Sequence, residues 1–301
     1  MAVHVVGNVC LDTTFSLARF PEPGETLNAR EAAVALGGKG ANQALAALRA
    51  GARTTLWSAV GDDLEAASIR QGLVGAGLSD RGLATLPLPS DRSAVLVDAS
   101  GENMIASAVA CARTFDPAAA GWHVEARGGD VVVLQGNLAP EATRAVLDIG
   151  RSLALRTVLN ASPLAPGAGL LAGRPDLVLV NRVEGEALTG EREPGRIVAA
   201  LCARTGGAAV VTLGPEGYVL AEGPGSAPRA RPAFPARPLD TSGAGDVFCG
   251  TLAARLSLGQ GLDQALELSA WAAAVAVTRA GTFGCGPSRD EFQTGRTRES
   301  V

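Results

Sequence analysis

The sequence predicts an α/β protein in which a mainly parallel central sheet carries helices on both faces. Apolar runs of strand length alternate with longer helix-compatible segments over nearly the whole chain, which is the pattern that βαβ units produce. The strand-like runs are continuously apolar, as in Val131–Leu134, and strands buried on both faces read in this way. Residues 93–109 interrupt the alternation, because they read as a β-hairpin.

The individual elements follow from local sequence. The first strand is the β-branched run Val3–Val6, which ends at Gly7. Further strands are predicted at 54–61, 131–136, 157–160, 176–180, 208–214 and 218–220. Helices are predicted at 41–50, 64–75, 141–154, 247–258 and 262–278, the last of these packing on the helix that begins near Gly245. The hairpin pairs 93–98 with 103–109 across the turn 99–102, and the Pro-, Gly- and Arg-rich stretch 221–238 is predicted to be a surface connection.

Composition restricts the function. The chain has 301 residues, of which 47% are hydrophobic and 19% are charged, as is ordinary for a soluble globular protein. Its formal net charge of −4 argues against nucleic acid as a partner, because phosphate backbones require a basic face. The two histidines, His4 and His123, have no neighbouring ligand residues, so neither histidine catalysis nor a zinc cluster is expected.

Cysteine usage and the chain start indicate the compartment. The five cysteines are odd in number and scattered, without any CxxC spacing, which predicts reduced and mostly buried thiols. Residues 1–9 lack a basic region followed by a long apolar core, and no apolar run reaches membrane-spanning length. A soluble, cytoplasmic protein with no membrane partner is therefore expected.

The stretch Asp240–Asp246 (Asp-Thr-Ser-Gly-Ala-Gly-Asp) is the first candidate site. It precedes a helix-compatible run, and small residues there expose backbone N–H groups that have no intrahelical partner, so the position suits an anion. A phosphate bound there would repel the carboxylate of Asp246, so the position of this residue needs a reason. Acting as base toward a hydroxyl that attacks that phosphate would be such a reason. The alternative is a tight turn with an Asp at a favourable helix start.

Two further stretches could contact a ligand. The run Leu36–Gln43 (Leu-Gly-Gly-Lys-Gly-Ala-Asn-Gln) opens an Ala-rich helix, and its Lys39 and Asn42 offer donors for hydroxyls or phosphates. The alternative is a glycine-rich loop with a solvated lysine. Asp12 lies just beyond the carboxyl end of the first strand, and ligands of open α/β sheets bind at that rim.

These motifs together resemble those of the ribokinase-like (PfkB) carbohydrate kinases. The match consists of Gly7-Asn8-x-x-x-Asp12, the Gly-Gly-Lys-Gly-Ala-Asn of 37–42, Asn181-x-x-Glu184, the Thr-Leu-Gly-x-x-Gly of 212–217, and the complete Asp-Thr-x-Gly-Ala-Gly-Asp of 240–246. The resemblance spans about residues 3–290. It implies a three-layer ribokinase-like fold in a single domain, residues 1–301, with a small β-sheet lid formed from about 13–36 and 91–112.

The resemblance also implies ATP-dependent transfer of the γ-phosphoryl group to a sugar hydroxyl. Asp246 would be the base, and the N–H groups of Gly243, Ala244 and Gly245 would stabilise the transferring phosphoryl group. Positions matching the sugar-binding residues are Asp12, Gly38, Lys39, Asn42 and Asn137. Positions matching the nucleotide-binding residues are Asn181, Glu184, Thr212, Gly214 and Gly217, with Mg²⁺ on the phosphates. Many members also bind K⁺, for which the matching positions are Asp240, Ser242, Ala276 and Gly281.

Departures from the ribokinase pattern leave the acceptor open. Asn137 stands where ribokinases carry an acidic residue, and the segment 106–112 lacks their Gly-Ala-Asn. The segment 136–140 (Gly-Asn-Leu-Ala-Pro) instead resembles the Gly-Ser-Leu-Pro-Pro of phosphosugar kinases. A furanose, with ribose the first candidate, is expected; a phosphosugar and a nucleoside are the alternatives. A non-catalytic sugar-binding protein on the same fold is disfavoured by the intact loop and Asp246, and exposed lid edges suggest a homodimer.

Overall fold

Two sheets organise the chain, which a computed structural model describes over residues 1–99, 102–164 and 169–294. The strands in chain order are β1 (Ala2–Val6), β2 (Cys10–Ser16), β3 (Glu31–Gly37), β4 (Arg53–Val60), β5 (Leu83–Thr85), β6 (Arg92–Val97), β7 (Asn103–Ala108), β8 (Val131–Gln135), β9 (Arg156–Asn160), β10 (Leu177–Asn181), β11 (Ala208–Thr212), β12 (Tyr218–Ala221) and β13 (Arg229–Arg231). The helices are α1 (Lys39–Arg49), α2 (Leu64–Gly75), α3 (Ala110–Thr114), α4 (Trp122–Glu125), α5 (Pro140–Ser152), α6 (Arg182–Thr189), α7 (Pro194–Thr205), α8 (Ala244–Ser257), α9 (Leu262–Ala276) and α10 (Arg289–Gln293).

The central sheet has nine strands in the order β13-β12-β11-β10-β9-β8-β1-β4-β5. Neighbouring strands are parallel, except for the antiparallel pairs β11–β12 and β12–β13. Because the parallel strands point the same way, their carboxyl ends share one edge of the sheet, which is where ligands of such sheets bind.

Helices cover both faces of this sheet, as its continuously apolar strands require. On one face, strand side chains such as Val3 and Val5 form a buried cluster with residues of α1, α2, α8 and α9. On the other face, Val132 and Leu134 pack in a second cluster with residues of α3, α5 and α7. The strong apolar character of the strands therefore comes from burial on both sides, which makes three layers.

The small sheet has the order β3-β2-β6-β7. Strands β2 and β6 are parallel, while β2–β3 and β6–β7 are antiparallel. Asp91, 2% exposed, precedes β6, and its carboxylate accepts the N–H groups of Cys111 (2.8 Å) and Ala112 (3.0 Å) just after β7. One buried side chain thus ties together both ends of the hairpin.

The α/β architecture with its nine-stranded sheet and separate small sheet confirms the predicted fold class. The strand β5 and the helices α3, α4 and α7 were not predicted, and further details differ from the prediction. The stretch 221–238 contains the short strand β13, and α10 follows the helix predicted to be last. Asp12, which was predicted to lie just beyond the carboxyl end of β1, lies within β2, a strand of the small sheet. The hairpin pairs as predicted, but residues 100–101 of its turn, like the terminal residues 295–301, lie outside the described residues. Among the described helices, none is long and apolar enough to cross a membrane.

Candidate active site

The anion loop, residues 240–246, leads directly into α8. Gly243 is the N-cap residue of this helix and has φ 78°, a conformation that favours glycine. A Cβ on Gly243 would also lie 3.0 Å from the backbone of Thr282 and 3.1 Å from Sγ of Cys285. The first N–H groups of α8 have no intrahelical acceptor, so the loop presents donors at the positive end of the helix dipole.

Asp240 holds the loop in shape. One carboxylate oxygen accepts the N–H of Ser242 at 2.8 Å, and the other accepts the N–H of Gly281 at 2.9 Å. The N–H of Asp240 donates to the carbonyl of Val277 at 3.2 Å, next to Ala276. Of the residues predicted to bind K⁺, Ser242 and Gly281 therefore contact the carboxylate of Asp240, whereas the carbonyl of Ala276 accepts the N–H of Arg279 at 3.1 Å.

Asp246 lies in the first turn of α8 and is 5% exposed. Its Oδ2 accepts a hydrogen bond from Nδ2 of Asn42 at 3.0 Å, and its Oδ1 accepts one from Nε2 of Gln43 at 2.8 Å. Both donors belong to α1, which packs against α8. A carboxylate so buried is tolerated because charge-assisted hydrogen bonds satisfy it.

Gln43 and Gln135 are the polar residues of this site that sequence reasoning missed. Both are 0% exposed, and Nε2 of Gln135 donates to Oε1 of Gln43 at 2.7 Å. A signal was present in the sequence: Gln43 is a polar residue inside an Ala-rich helix, and Gln135 ends an apolar strand. Buried amides of this kind need partners, but the sequence does not reveal which ones.

The glycine-rich loop before α1 packs on the end of β1. Gly38 has φ 95°, and a Cβ there would lie 2.8 Å from Cα of Val9. The carbonyl of Asn8 accepts the N–H of Ala41 at 3.1 Å. Lys39 is the first residue of α1 and is half-buried. Packing alone thus explains why residue 38 is a glycine. The ammonium group of Lys39, by contrast, makes no hydrogen bond among the described residues.

Asp12 reaches over the start of the same loop. Its Oδ1 accepts a hydrogen bond from Sγ of Cys10 at 3.3 Å. A Cβ on Gly37 would lie only 2.0 Å from Oδ2 of Asp12, so the carboxylate rests against the backbone of Gly37, which makes room for it. The small sheet and the glycine-rich loop therefore meet at Asp12.

Asn137 follows β8 at the carboxyl edge of the central sheet. Its Oδ1 is buried and finds no partner among the described residues, and the same holds for Oδ1 of Asn42. The carbonyl of Leu138 accepts a hydrogen bond from Nη1 of Arg113 at 2.7 Å, which anchors this turn. Oε1 of Gln135, at the end of β8, is a third buried amide oxygen without a partner among the described residues. Such oxygens are unusual, since buried polar atoms are normally satisfied, and hydroxyl groups of a ligand would satisfy those of Asn42 and Asn137.

Asn181 and Glu184 form a capping box at the start of α6. Oδ1 of Asn181 accepts the N–H of Glu184 at 2.8 Å, and Oε2 of Glu184 accepts the N–H of Asn181 at 2.8 Å. An Asn and a Glu three residues apart at the start of a helix form such a box by local geometry alone. It leaves Oε1 of Glu184 outside the capping box.

The remaining candidate nucleotide residues lie on the neighbouring strand and its turn. Thr212 is the cross-strand neighbour of Asn181, and its hydroxyl donates to the carbonyl of Val180 at 3.3 Å. Gly214 has φ 59°, and a Cβ added there would have no atom within 4 Å. Gly217 has φ 100°, and a Cβ there would lie 2.0 Å from the carbonyl oxygen of Arg231, so the glycine is required by the packing of β12 on β13.

The thiols around the site are protonated at neutral pH. Burial, followed by the charges of Asp246 and Asp240, raises the pKa of Cys285 to about 11. Burial and the Asp246 charge also hold the pKa of Cys249 far above its usual range. All five cysteines are free and buried, as predicted. Neutral thiols behind the anion loop add no negative charge that would repel a phosphate.

Known proteins resemble this chain over nearly its full length. The model of the "pfkB family carbohydrate kinase" matches residues 2–289. A ribokinase of Mus musculus is 30% identical over 97% of this chain and 93% of its own, and one of Haemophilus influenzae is 28% identical over 95% of each. Among solved structures, a ribokinase of Thermotoga maritima superposes with a TM-score of 0.85 at 26% identity, covering 97% of this chain and 98% of its own.

Proposed function

Because the chain belongs to the pfkB family of carbohydrate kinases, we propose that it transfers the γ-phosphoryl group of ATP to a hydroxyl of an unphosphorylated furanose, with ribose the first candidate. The observation that carries this proposal is the buried carboxylate of Asp246, which two amides hold at 3.0 and 2.8 Å beside the N–H donors at the start of α8. A base and an anion site adjoin there, as phosphoryl transfer to a hydroxyl requires.

In this mechanism Asp246 accepts the proton of the attacking hydroxyl. The N–H groups of Gly243, Ala244 and Gly245 stabilise the charge on the transferring phosphoryl oxygens. These N–H groups need little reorganisation during the reaction, because Asp240 already fixes the loop through its hydrogen bond from Ser242. Chemistry then consists mostly of positioning and electrostatic stabilisation.

The nucleotide would lie at the carboxyl ends of β10 and β11. Asn181, Glu184, Thr212 and Gly214 line this edge. Mg²⁺ would bind mainly through the substrate phosphates, since that ion usually keeps several waters and needs only one or two protein carboxylates. Oε1 of Glu184, which takes no part in the capping box, would contact Mg²⁺, and the ion would neutralise phosphate charge there.

The sugar would lie between Asp12 and the α1–α8 crossing. A carboxylate that accepts hydrogen bonds from two adjacent hydroxyls discriminates strongly, because an analogue without them leaves the charge unpaired. The unpartnered amide oxygens of Asn42 and Asn137 add two more acceptors. Hydrogen-bond acceptors of this kind suit the hydroxyl groups of a polyol but repel a phosphate dianion. A phosphate would need several cations, and the glycine-rich loop contributes one, Lys39. A phosphosugar is therefore the less favoured acceptor, and a nucleoside needs room that segment 106–112 would have to provide.

A coupled ADP-release assay over ribose, other pentoses, fructose, nucleosides and sugar phosphates tests the proposal. The highest kcat/KM is expected for ribose. A preference for fructose 6-phosphate would contradict an unphosphorylated acceptor, and a preference for a nucleoside would contradict a free sugar. Asp12→Ala is expected to raise KM for the preferred sugar steeply while KM for ATP stays nearly constant.

A monovalent cation is proposed beside the anion loop. Asp240 brings Ser242 and Gly281 together, and carbonyls with one carboxylate suit K⁺. A bound ion would fix the loop donors, so kcat is expected to be higher in potassium than in tetramethylammonium buffer. Equal activity in both buffers would remove the cation from the proposal.

The small sheet is proposed to act as a lid and as a dimer surface within a single kinase domain. Val34, Met104 and Ile105 are 65%, 54% and 60% exposed. Met104 and Ile105 are consecutive, so they point to opposite faces of the sheet; one face can close on the sugar while the other meets a second copy. Light scattering is expected to give a dimer, and Ile105→Asp together with Met104→Asp is expected to give a monomer. The cytoplasm is the proposed compartment, because five free thiols suit a reducing environment.

A further inference from the structure

A chain of three buried side chains ends on Asp246. Gln135 donates through Nε2 to Oε1 of Gln43 at 2.7 Å, and Gln43 donates through Nε2 to Oδ1 of Asp246 at 2.8 Å. Both glutamines are 0% exposed. The chain connects the end of β8 to α1 and then to α8, so it joins three elements that are far apart in sequence.

The charge of Asp246 sets the direction of this chain. An ionised carboxylate only accepts hydrogen bonds, so Gln43 must present its NH₂ group to it. The carbonyl of Gln43 then faces Gln135, which must present its own NH₂ group. Turning either amide by 180° would bring two acceptors together, and the arrangement is therefore the one that an ionised Asp246 requires.

Close backbone approach makes these contacts possible. Gly250 lies one turn after Asp246, and a Cβ there would lie 2.3 Å from the carbonyl oxygen of Gln43. A Cβ on Gly7 would lie 1.9 Å from Oε1 of Gln135. Glycine at both positions thus makes room for the two glutamines, and this packing leaves them little freedom to adopt other rotamers.

We propose that Gln43, held in turn by Gln135, is a positioning residue that fixes the plane of the Asp246 carboxylate. Rotation of an aspartate carboxyl about χ2 is otherwise broad, and a misplacement of about 1 Å can cost on the order of 10²-fold in rate. Asn42 holds the second oxygen at 3.0 Å, so the two amides act as a pair. The proposal rests on the assignment of Asp246 as the base under the proposed function.

The first experiment compares Gln43→Met and Gln135→Met, which remove the amides at similar side-chain volume, with Gln71→Met on the exposed side of α2 as control. Gln43→Met is expected to lower kcat by on the order of 10- to 10²-fold, with KM for sugar and for ATP changed less than about threefold. Gln135→Met is expected to act in the same sense but more weakly, and Gln71→Met is expected to match the parent protein.

The kinetic test is completed in the Asp246→Asn background. If Gln43 acts through Asp246, Gln43→Met is expected to cause no further fall in kcat there, because effects of residues that act as a unit are not additive. An equal fall in both backgrounds, or turnover of Gln43→Met equal to that of the parent, would overturn the proposal. Isothermal titration with ribose and a non-hydrolysable ATP analogue checks that each variant is folded and binds its ligands.

A readout independent of turnover separates this proposal from the proposed function. The side-chain ¹H–¹⁵N resonances of Gln43 and Gln135 are expected to shift together in Asp246→Asn, while that of Gln71 stays in place. An unchanged Gln135 resonance would refute the proposed hydrogen-bond chain from Gln135 to Asp246, even if the enzyme phosphorylates ribose. Coupled shifts in a protein that phosphorylates no sugar would instead uphold the hydrogen-bond chain and overturn the proposed reaction.

Discussion

Asp246 and Asn181 both stand at the start of a helix near the site, but they are held in opposite ways. The side-chain partners of Asp246 lie 204 and 203 residues away in the chain, and the carboxylate is buried. The side-chain partner of Asn181 is Glu184, three residues away, and Asn181 is exposed. One half of the site, around Asp246, is therefore made by tertiary packing, and the other, around Asn181, is made by local sequence.

This difference determines how each half responds to change. A shift of α1 against α8 moves Asn42 and Gln43 relative to Asp246, so small packing changes affect the proposed base. The capping box of α6 moves with its own helix and survives such shifts. Changes in the Asp246 half should therefore appear in kcat, and changes in the Asn181 half should appear in KM for ATP.

The largest effect is expected for Asp246→Asn. The variant keeps the shape of the side chain but cannot accept the hydroxyl proton, so kcat is expected to fall by on the order of 10²–10⁴-fold. Binding of sugar and nucleotide, measured by titration calorimetry, is expected to persist. Asp290→Asn, an exposed aspartate in the first turn of α10, is the matched control and should leave kcat unchanged. Nearly unaltered turnover in Asp246→Asn would remove this residue from the mechanism.

Gly250→Ala tests the dependence of the base on helix packing. Its Cβ would lie 2.3 Å from the carbonyl oxygen of Gln43 and 2.8 Å from Cβ of Ala46, so α1 must move away. A loss of about 1–3 kcal/mol in the free energy of unfolding is expected, together with a clear fall in kcat.

Gly75→Ala is the control for that substitution. No atom lies within 4 Å of a Cβ there, and the residue ends α2, so neither stability nor kcat should fall. If Gly250→Ala retained full kcat while losing stability, the base would be less dependent on the helix crossing than we infer.

Asn181→Ala tests the local half. Loss of the N-cap side chain is expected to lower the free energy of unfolding by about 0.5–2 kcal/mol and to raise KM for ATP, with kcat nearly unchanged. Ser288→Ala removes the same kind of capping box from α10, so it should cost similar stability without any change in KM for ATP. If Asn181→Ala and Ser288→Ala had the same KM for ATP, Asn181 would serve only as a helix cap.

The smallest effect on activity is expected from the His4–Asp130 pair, which lies outside both halves of the site. Nε2 of His4 lies 3.4 Å from Oδ2 of Asp130, and Nδ1 accepts from Nε1 of Trp57 at 3.3 Å. Burial lowers the pKa of His4 below 6.5, although Asp130 opposes the shift. The unfolded chain thus binds a proton below about pH 6.5 before the folded protein does. Stability is therefore full above that pH and declines as the pH falls further.

Denaturant unfolding between pH 8 and pH 5 measures this decline. His4→Gln cannot be protonated in this range, so its stability is expected to vary less with pH than that of the parent protein. Parallel pH dependence in the two proteins would show that other groups cause the loss. Because the pair touches neither half of the site, kcat of His4→Gln is expected to stay close to that of the parent.

Much of the fold could be predicted because its signals are local. Continuous apolar strands such as Val131–Leu134 read as buried parallel strands, and most helix bounds followed within a few residues. The misses include short elements such as β13 and also the twelve-residue helix α7. Arg229–Arg231 is only three residues long, too short to be recognised as a strand by itself, and becomes β13 by pairing with β12.

The sequence alone determined the anion loop and the capping box. Gly243 needs a positive φ, and Asn181 and Glu184 stand three residues apart, so each of these features forms within a few residues of chain. The tertiary structure alone decided what holds the carboxylate of Asp246. The resemblance implied that Asn42 binds sugar, and only the structure shows that its NH₂ group also donates to Asp246. Nothing in the spacing connected Gln43 or Gln135 to that carboxylate. Their contact depends on the close crossing of α1 and α8 at Gly250, and such a crossing is set by the packing of whole helices.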